Sequence, residues 1–146
     1  MLTVVDKFSR ECVLMETDFS LTGKKVARAL EHVGQWRPLP QVITVDNGSE
    51  FVGKDLDNWT YWRGIKLDFI WPGKPVENAY IESFNGRLRD ECLNDQVFTT
   101  LEDAQEKIET WRADYNDCRP HGSLGNLTPS EYIKNWSAKS AAEAEN

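Results

Sequence analysis

The order in which extended and helical patterns follow one another constrains the fold of this chain most. Short apolar runs that indicate β-strands occur at Leu2–Val5, Cys12–Met15, Val42–Val45 and Leu67–Ile70. Helical spacing of apolar residues indicates helices after Thr22, before Gly64, from about Asn78 to Leu93, after a capping box of Thr99 and Glu102, and from Thr128 to Trp136. Strands and helices in this order form a mixed sheet flanked by helices. The sequence therefore predicts an α/β fold with additional C-terminal helices.

The length of the chain suits one globular domain, which we expect over residues 1–136, with a disordered tail over residues 137–146. A chain of 146 residues with 40% hydrophobic residues is long enough for a sizeable core. The helical tryptophans Trp59, Trp62, Trp111 and Trp136 are expected in that core. No apolar run approaches the roughly 18 residues of a membrane span, and the N-terminus has no signal-peptide pattern. We therefore expect a cytoplasmic protein without a membrane partner.

The cysteines and histidines exclude two classes of small protein. Cys12, Cys92 and Cys118 are odd in number and contain no Cys-x-x-Cys pair, which argues against a disulfide framework and against zinc. His32 and His121 are too few for a histidine-rich metal site. Any metal ion in this protein is therefore expected to be held by oxygen.

The net charge argues against a nucleic-acid partner, since lysine and arginine supply most of the affinity for phosphates. The formal charge is −7 and the pI is about 4.9. Residues 63–89 are an exception, because they carry more basic than acidic side chains. The net charge of these residues is +2, which leaves −9 for the remainder of the chain.

Two carboxylates stand where a metal-dependent phosphoryl-transfer site needs them. Asp46 follows the strand Val42–Val45, and open α/β sheets bind ligands at this end of a strand. Glu82 lies on a predicted helix whose residues Asn78, Glu82, Asn85 and Arg89 fall at i, i+4, i+7 and i+11 and so share one polar face. Carboxylate oxygens are the ligands that Mg²⁺ prefers, and an arginine two turns away can hold a phosphate. The two asparagines can position nucleotide edges or the backbone.

Each of these residues also has a purely structural interpretation. Asp46-Asn47-Gly48 is a common turn sequence, and by itself it is more often structural than catalytic. A single glutamate on a helix is usually solvated. The combination of a strand-end Asp, a helix-borne Glu and an Arg two turns later favours a functional site.

These segments resemble bacterial insertion-sequence transposases of the Asp-Asp-Glu class, whose catalytic core is similar to retroviral integrase and ribonuclease H. The resemblance covers nearly the whole chain. It rests on residues 2–11, 45–51, 72–75, 78–89, 115–116, 119–125 and 128–132. It implies a ribonuclease H-like mixed sheet, DNA transposition and integration by cleavage and strand transfer, and Mg²⁺ as cofactor, with Mn²⁺ as a substitute.

The resemblance also assigns the catalytic residues. Asp46 matches the second Asp and Glu82 matches the Glu of the triad, and both are metal ligands in such enzymes. The first Asp lies on a strand upstream of the segment that residues 2–11 resemble, and Asp6 is not its equivalent. The sheet is therefore expected to lack its first central strand, and the chain alone is expected to bind Mg²⁺ weakly or not at all and to be inactive.

DNA, as transposon ends and as target, is the partner that the resemblance implies, and a homo-oligomer is expected. The residues expected to contact DNA are Lys74, Asn78, Asn85 and Arg89. One hypothesis is a transposase core whose first Asp comes from a longer chain or a partner fragment. The alternative is a non-catalytic remnant that binds DNA or a transposase partner. An unrelated acidic α/β domain is a third possibility, which the net charge favours.

Overall fold

The structure is a computed structural model, and it describes residues 1–70 and 79–145. The strands of these residues are β1 (Leu2–Val5), β2 (Cys12–Glu16), β3 (Val42–Val45) and β4 (Lys66–Phe69). The α-helices are α1 (Gly23–Val33), α2 (Lys54–Arg63), α3 (Ala79–Leu88), α4 (Leu101–Asp117) and α5 (Pro129–Ala144). A π-helical turn, Arg89–Leu93, follows α3, and a 3₁₀ turn, Gly122–Leu124, precedes α5. The predicted order of strands and helices is confirmed.

The chain forms two compact units. Unit 1 consists of Met1–Leu2 and Asp18–Val97, and unit 2 consists of Thr3–Thr17 and Phe98–Asn146. Among the described residues, β1 pairs only with β2 and β3 pairs only with β4. The mixed sheet that was predicted to lack a central strand is thus found as two separate strand pairs. The single domain expected over residues 1–136 stays a prediction.

Unit 1 is built on a strand, helix, strand arrangement. β3 and β4 are parallel, with Val42 opposite Lys66 and Val45 opposite Phe69. α2 connects them and ends at Gly64, whose φ of 66° lies in the left-handed region that favours glycine. The buried apolar side chains of α1 and α2, together with neighbouring strand residues, form the core of the unit: Val26, Leu30, Val33, Val45, Leu56 and Ile65.

A polar contact on the surface of unit 1 fixes α1 against α2. The Trp59 indole N–H donates to Glu31 Oε2 at 2.7 Å, and Arg63 pairs with the same carboxylate. α1 begins at the predicted place, because the Thr22 hydroxyl accepts from the Lys25 N–H at 3.3 Å. These contacts fix the helix pair that packs beside β4.

Unit 2 joins β2 to α4 through a buried side chain. Asn116 is 5% exposed, and its amide accepts from the Cys12 N–H at 2.8 Å and donates to the Cys12 carbonyl at 2.9 Å. Removing this amide would leave the Cys12 N–H unpaired, at a cost of about 1–3 kcal/mol, whereas the Cys12 carbonyl would still accept from Arg112 at 2.9 Å. Burial also raises the pKa of the Cys12 thiol to about 12, so this cysteine is unreactive.

Two helix ends differ from their predictions. The N-cap of α4 is Thr100 and not Thr99, because the Asp103 N–H donates to the Thr100 hydroxyl at 3.0 Å. Asp103, and not Glu102, is therefore the third helical residue. The predicted tail over residues 137–146 is helical as far as Ala144, because α5 continues well beyond Trp136 through residues of high helix propensity. The capping box at Thr128 is confirmed.

Two of the tryptophans expected in the core lie on the surface. Trp62 is 82% exposed and Trp136 is 52% exposed, whereas Trp59 and Trp111 are half-buried. Helical spacing shows that residues share a face, but it does not show which face the rest of the fold covers. In the part of the chain that the structure describes, no helix is long and apolar enough to cross a membrane.

Candidate active site

Asp46 lies on the surface directly after β3, where it was predicted. Its Oδ1 accepts from the Gly48 N–H at 2.7 Å, a bond from an aspartate side chain to the backbone two residues later that is typical of turns. The Asn47 side-chain amide donates to the Ile70 carbonyl at 3.0 Å and so links the ends of β3 and β4. The turn holds the Asp46 carboxylate at this edge of the sheet and leaves its second oxygen, Oδ2, for other ligands.

The space above Gly48 is enclosed by two carboxylates. A Cβ atom added to Gly48 would lie 2.9 Å from Asp46 Oδ1 and 3.0 Å from Glu50 Oε1. Sequence reasoning missed Glu50, because only the geometry of the turn shows that its side chain folds back toward Asp46. The absence of a side chain at Gly48 therefore lets both carboxylates approach the turn closely.

α3 presents the remaining predicted residues that the structure describes. Glu82 lies in its first turn and is exposed, as is Arg89, while Asn85 is half-buried. Seven residues along a helix return to within about 20° of the same direction, so Glu82 and Arg89 share a face. A separate stripe of the helix and the turn after it is buried and consists of Phe84, Leu88 and Cys92. Burial also raises the pKa of the Cys92 thiol, with a smaller contribution from the charge of Asp95.

A π-helical turn begins at Arg89. The sequence predicted a continuous helix to Leu93 without this turn. The Asn94 N–H donates to the Arg89 carbonyl at 2.8 Å, which is the i to i+5 bond of such a turn. The π turn contains one residue more than an α-helical turn, so it changes the direction of the side chains after Arg89. Arg89 itself stays on the same face of the helix as Glu82. Nothing in the sequence signals this turn.

The other predicted residues are placed as follows. Lys74 and Asn78 lie outside the described residues. Asp6, which was not assigned as a ligand, holds the turn after β1, because its carboxylate accepts from the Phe8 N–H and from the Ser9 hydroxyl, both at 3.0 Å. Asp46 and Glu82 both belong to unit 1.

The oxygen donors of unit 1 suit a divalent cation. Asp46 and Glu82 are exposed carboxylates, and Mg²⁺ takes one or two carboxylates together with water or phosphate oxygens. Within residues 1–70 and 79–145, no three His, Cys, Asp or Glu side chains form a group that could hold a metal ion. The convergence of Asp46 and Glu82 on one metal ion stays a prediction.

Comparisons with known proteins agree on one family. Sequence profiles of the integrase core domain match residues 1–75 and residues 63–129. The chain is 48% identical over 143 residues to the uncharacterized 31.7 kDa protein of insertion element IS407 from Burkholderia multivorans. The alignment covers 98% of this chain and 52% of that protein. It is 29% identical over 136 residues to the transposase for insertion sequence element IS904 from Lactococcus lactis, and this alignment covers 89% of this chain and 53% of that transposase.

The fold is also that of a solved integrase core. The crystal structure of the catalytic core domain of BIV integrase matches with a TM-score of 0.71 and 20% sequence identity, over 94% of this chain and 87% of that one. The ribonuclease H-like fold is confirmed. The chain spans about half the length of the curated relatives it matches. Integrase cores generally use a divalent metal ion, and the family implies DNA as a partner. The chain therefore belongs to the integrase core domain family and is similar over most of its length to proteins of bacterial insertion elements.

Proposed function

We propose that this core cleaves DNA and transfers strands with Mg²⁺ or Mn²⁺, and that Asp46 and Glu82 are two of its metal ligands. One observation carries the proposal: Glu82 on α3 and Arg89 directly after it share an exposed face, with the half-buried Asn85 beside them, in the same unit as the strand-end Asp46. A helix of this kind offers carboxylate, amide and guanidinium groups together. That combination suits a phosphodiester with its counterion.

Each side chain has a distinct task in this proposal. The Gly48 N–H orients the Asp46 carboxylate through its bond to Oδ1. Arg89 holds a DNA phosphate by charge-assisted hydrogen bonds, and the Asn85 amide contacts the neighbouring nucleotide. A bound Mg²⁺ supplies Lewis-acid stabilisation of the charge that develops on the phosphate. Lys74 and Asn78 stay predicted DNA contacts.

The third carboxylate of the site is proposed to come from a strand of a longer protein or from a partner fragment. Transposon ends and target DNA are the proposed substrates, and the working form is proposed to be a homo-oligomer. The proposal is supported by the family and by the coverage of its relatives, since this chain corresponds to about half of each.

Titration calorimetry tests the proposed ligands. Mn²⁺ is titrated into the chain, into an Asp46→Asn/Glu82→Gln double variant, and into an Asp57→Asn/Glu106→Gln double variant as control. Asp57 and Glu106 are exposed carboxylates on α2 and α4, so the control removes the same charge elsewhere. Binding that is lost only in the first variant supports the proposal. Equal binding by all three proteins would refute the assignment of Asp46 and Glu82.

A non-catalytic remnant that binds DNA or a transposase partner is the second candidate. The observation that favours it is that no group of three possible ligands forms among the described residues. The two candidates differ in one measurement. A remnant binds DNA with the same affinity in Mn²⁺ and in EDTA, whereas a catalytic core binds more tightly with the metal ion.

A further inference from the structure

A groove on unit 2 carries aromatic and cationic groups that the proposed active site does not use. Its volume is about 300 Å³, within the range of small-molecule pockets, and its lining residues are Leu127, Tyr132, Asn135, Trp136 and Lys139. Tyr132, Trp136 and Lys139 follow one another at i, i+4 and i+7 on α5, so they share one face of this helix. The groove therefore places flat aromatic walls beside a cation.

Ring contacts hold the aromatic walls in place and leave ring surface open. Phe8, in the turn between β1 and β2, lies 5.4 Å from Tyr132 and 5.5 Å from Trp136 between ring centroids, at interplanar angles of 58° and 74°. In an inclined pair the edge of one ring meets the face of the other, so each contact covers one side of one ring and leaves its other side free of this contact. Phe8 and Trp136 each remain 52% exposed. A further flat group can therefore stack on this cluster without displacing it.

Of the five lining residues, Lys139 alone is charged, and its ammonium group offers a contact for an anion. Glu143 lies one turn further along α5, so the groove has a local cation and not a basic surface. Two acidic side chains of the same elements are engaged locally: Glu131 accepts from the Thr128 N–H at 2.9 Å, and Asp6 accepts from the Phe8 N–H and the Ser9 hydroxyl. The Asn135 amide offers both a donor and an acceptor. A ligand with a flat ring, a polar ring edge and a nearby anion matches all of these groups.

We propose that this groove binds an unpaired DNA nucleotide, with the base stacked against Trp136 and a phosphate on Lys139. The inference rests on the proposed function, in which DNA is the partner, and adds to it a single-strand contact in unit 2. Base stacking on an aromatic side chain needs an exposed base face, which a duplex does not offer along its length. The groove therefore binds single strands in preference to duplex.

Fluorescence anisotropy with a labelled oligothymidylate of about 12 nucleotides tests the groove. The full chain is used in EDTA, so that the proposed metal ligands play no part. Trp136→Ala is expected to weaken binding about tenfold, and Trp136→Phe is expected to retain most of it. Lys139→Gln, an exposed change that does not threaten folding, is expected to weaken binding and to lower its salt dependence. Trp62→Ala, which removes an exposed tryptophan of α2, is the control and is expected to bind normally.

Several results would overturn the inference. These are no binding by the unchanged chain, equal binding by all variants, or tighter binding of a duplex than of the single strand. If Trp136→Ala instead lowers the mass measured by sedimentation, the groove covers a second copy of the chain and the nucleotide assignment is wrong. The Mn²⁺ titration of Asp46 and Glu82 is a separate readout. If that titration shows no effect of the Asp46 and Glu82 changes while the oligonucleotide still binds to the groove, the proposed metal ligands are wrong and the nucleotide contact stands.

Discussion

At the scale of single residues, the turn after β3 combines a structural and a proposed chemical role in one carboxylate. Asp46 Oδ1 accepts from the Gly48 N–H, and this bond fixes the direction of the carboxylate. A residue that stabilises a turn and a residue that binds a ligand are often treated as alternatives. In this turn the first role prepares the second, because a pre-oriented carboxylate loses less side-chain freedom when it binds an ion.

Gly48→Ala tests this coupling. The new Cβ would lie 2.9 Å from Asp46 Oδ1 and 3.0 Å from Glu50 Oε1, so both carboxylates must move. We expect Mn²⁺ binding to weaken about tenfold, as when an outer-shell contact of a metal ligand is lost. The melting temperature should change little, because the displaced atoms are the ends of flexible side chains. Calorimetry and thermal unfolding measure the two effects.

Gly122→Ala is the matched control for Gly48→Ala. A Cβ at Gly122 meets no atom within 4 Å, and this glycine lies in unit 2. The same change in composition should therefore leave Mn²⁺ binding unaltered. Equal weakening by both substitutions would show that the space above Gly48 has no special part in holding Asp46.

At the scale of elements, α3 is the proposed functional helix and contains a glycine in its interior. Gly86 has open space where a Cβ would be, so Gly86→Ala should stabilise the helix by about 0.5–1 kcal/mol. A raised midpoint in urea unfolding would show this. Gly125→Ala makes the same change at a φ of 65° and is expected to destabilise instead, because an L side chain is strained there. If Gly86→Ala lowers the stability as Gly125→Ala does, the side chain at position 86 does not have the open space that this prediction requires.

The start of α4 should depend on pH through Asp103. Its carboxylate accepts from the Thr99 N–H and from Lys107 Nζ, each at 3.0 Å, and these bonds hold its pKa below the ordinary value of 3.8. A carboxyl group whose pKa is lowered by folding stabilises the fold above its unfolded pKa, and this stabilisation is lost as the pH falls through the folded pKa. Asp103→Asn should therefore lower the melting temperature at pH 7 but not below the folded pKa.

Melting curves followed by circular dichroism between pH 7 and acid check this dependence. Asp114→Asn, which removes a carboxylate near the other end of α4, is the comparison and should not reproduce the loss at pH 7. If the melting temperatures of Asp103→Asn and of the unchanged chain differed by the same amount at every pH, the ionised Asp103 carboxylate and its bonds to Thr99 and Lys107 would not be the cause of the difference.

The elements show which features a sequence can predict. Thr22 and Thr128 were predicted as caps because a cap depends on a side chain and an amide three residues apart. At α4, two neighbouring threonines offer the same pattern, and only the backbone shows that Thr100 is the cap. The exposure of Trp62 and Trp136, the π-helical turn at Arg89 and the position of Glu50 depend on tertiary packing or turn geometry, which local spacing does not contain.

At the scale of the whole molecule, the two units are built from interleaved parts of the chain. Residues 3–17 and 98–146 form unit 2, and most of the sequence between them forms unit 1. The bonds between Cys12 and Asn116 join residues that are 104 positions apart in the sequence. Closing this loop costs chain entropy, and unit 2 can complete its core only after the loop has closed. The place of Asp46 after a strand and of Glu82 on a helix was predictable from local patterns, whereas the division into two units was not.

The net charge of −7 makes each basic contact to DNA matter more, since the rest of the chain repels phosphates. If Arg89 holds a phosphate, Arg89→Gln should release about one fewer counterion and lower the slope of log affinity against log salt by about one. Anisotropy with a labelled duplex over a range of salt concentrations measures this slope. Lys24→Gln, an exposed change of the same charge on α1, should lower the affinity slightly and leave the slope nearly unchanged. Equal slopes for Arg89→Gln and the unchanged chain would mean that Arg89 does not contact DNA, whereas a lower slope would place the phosphate on the face of α3 that carries Glu82.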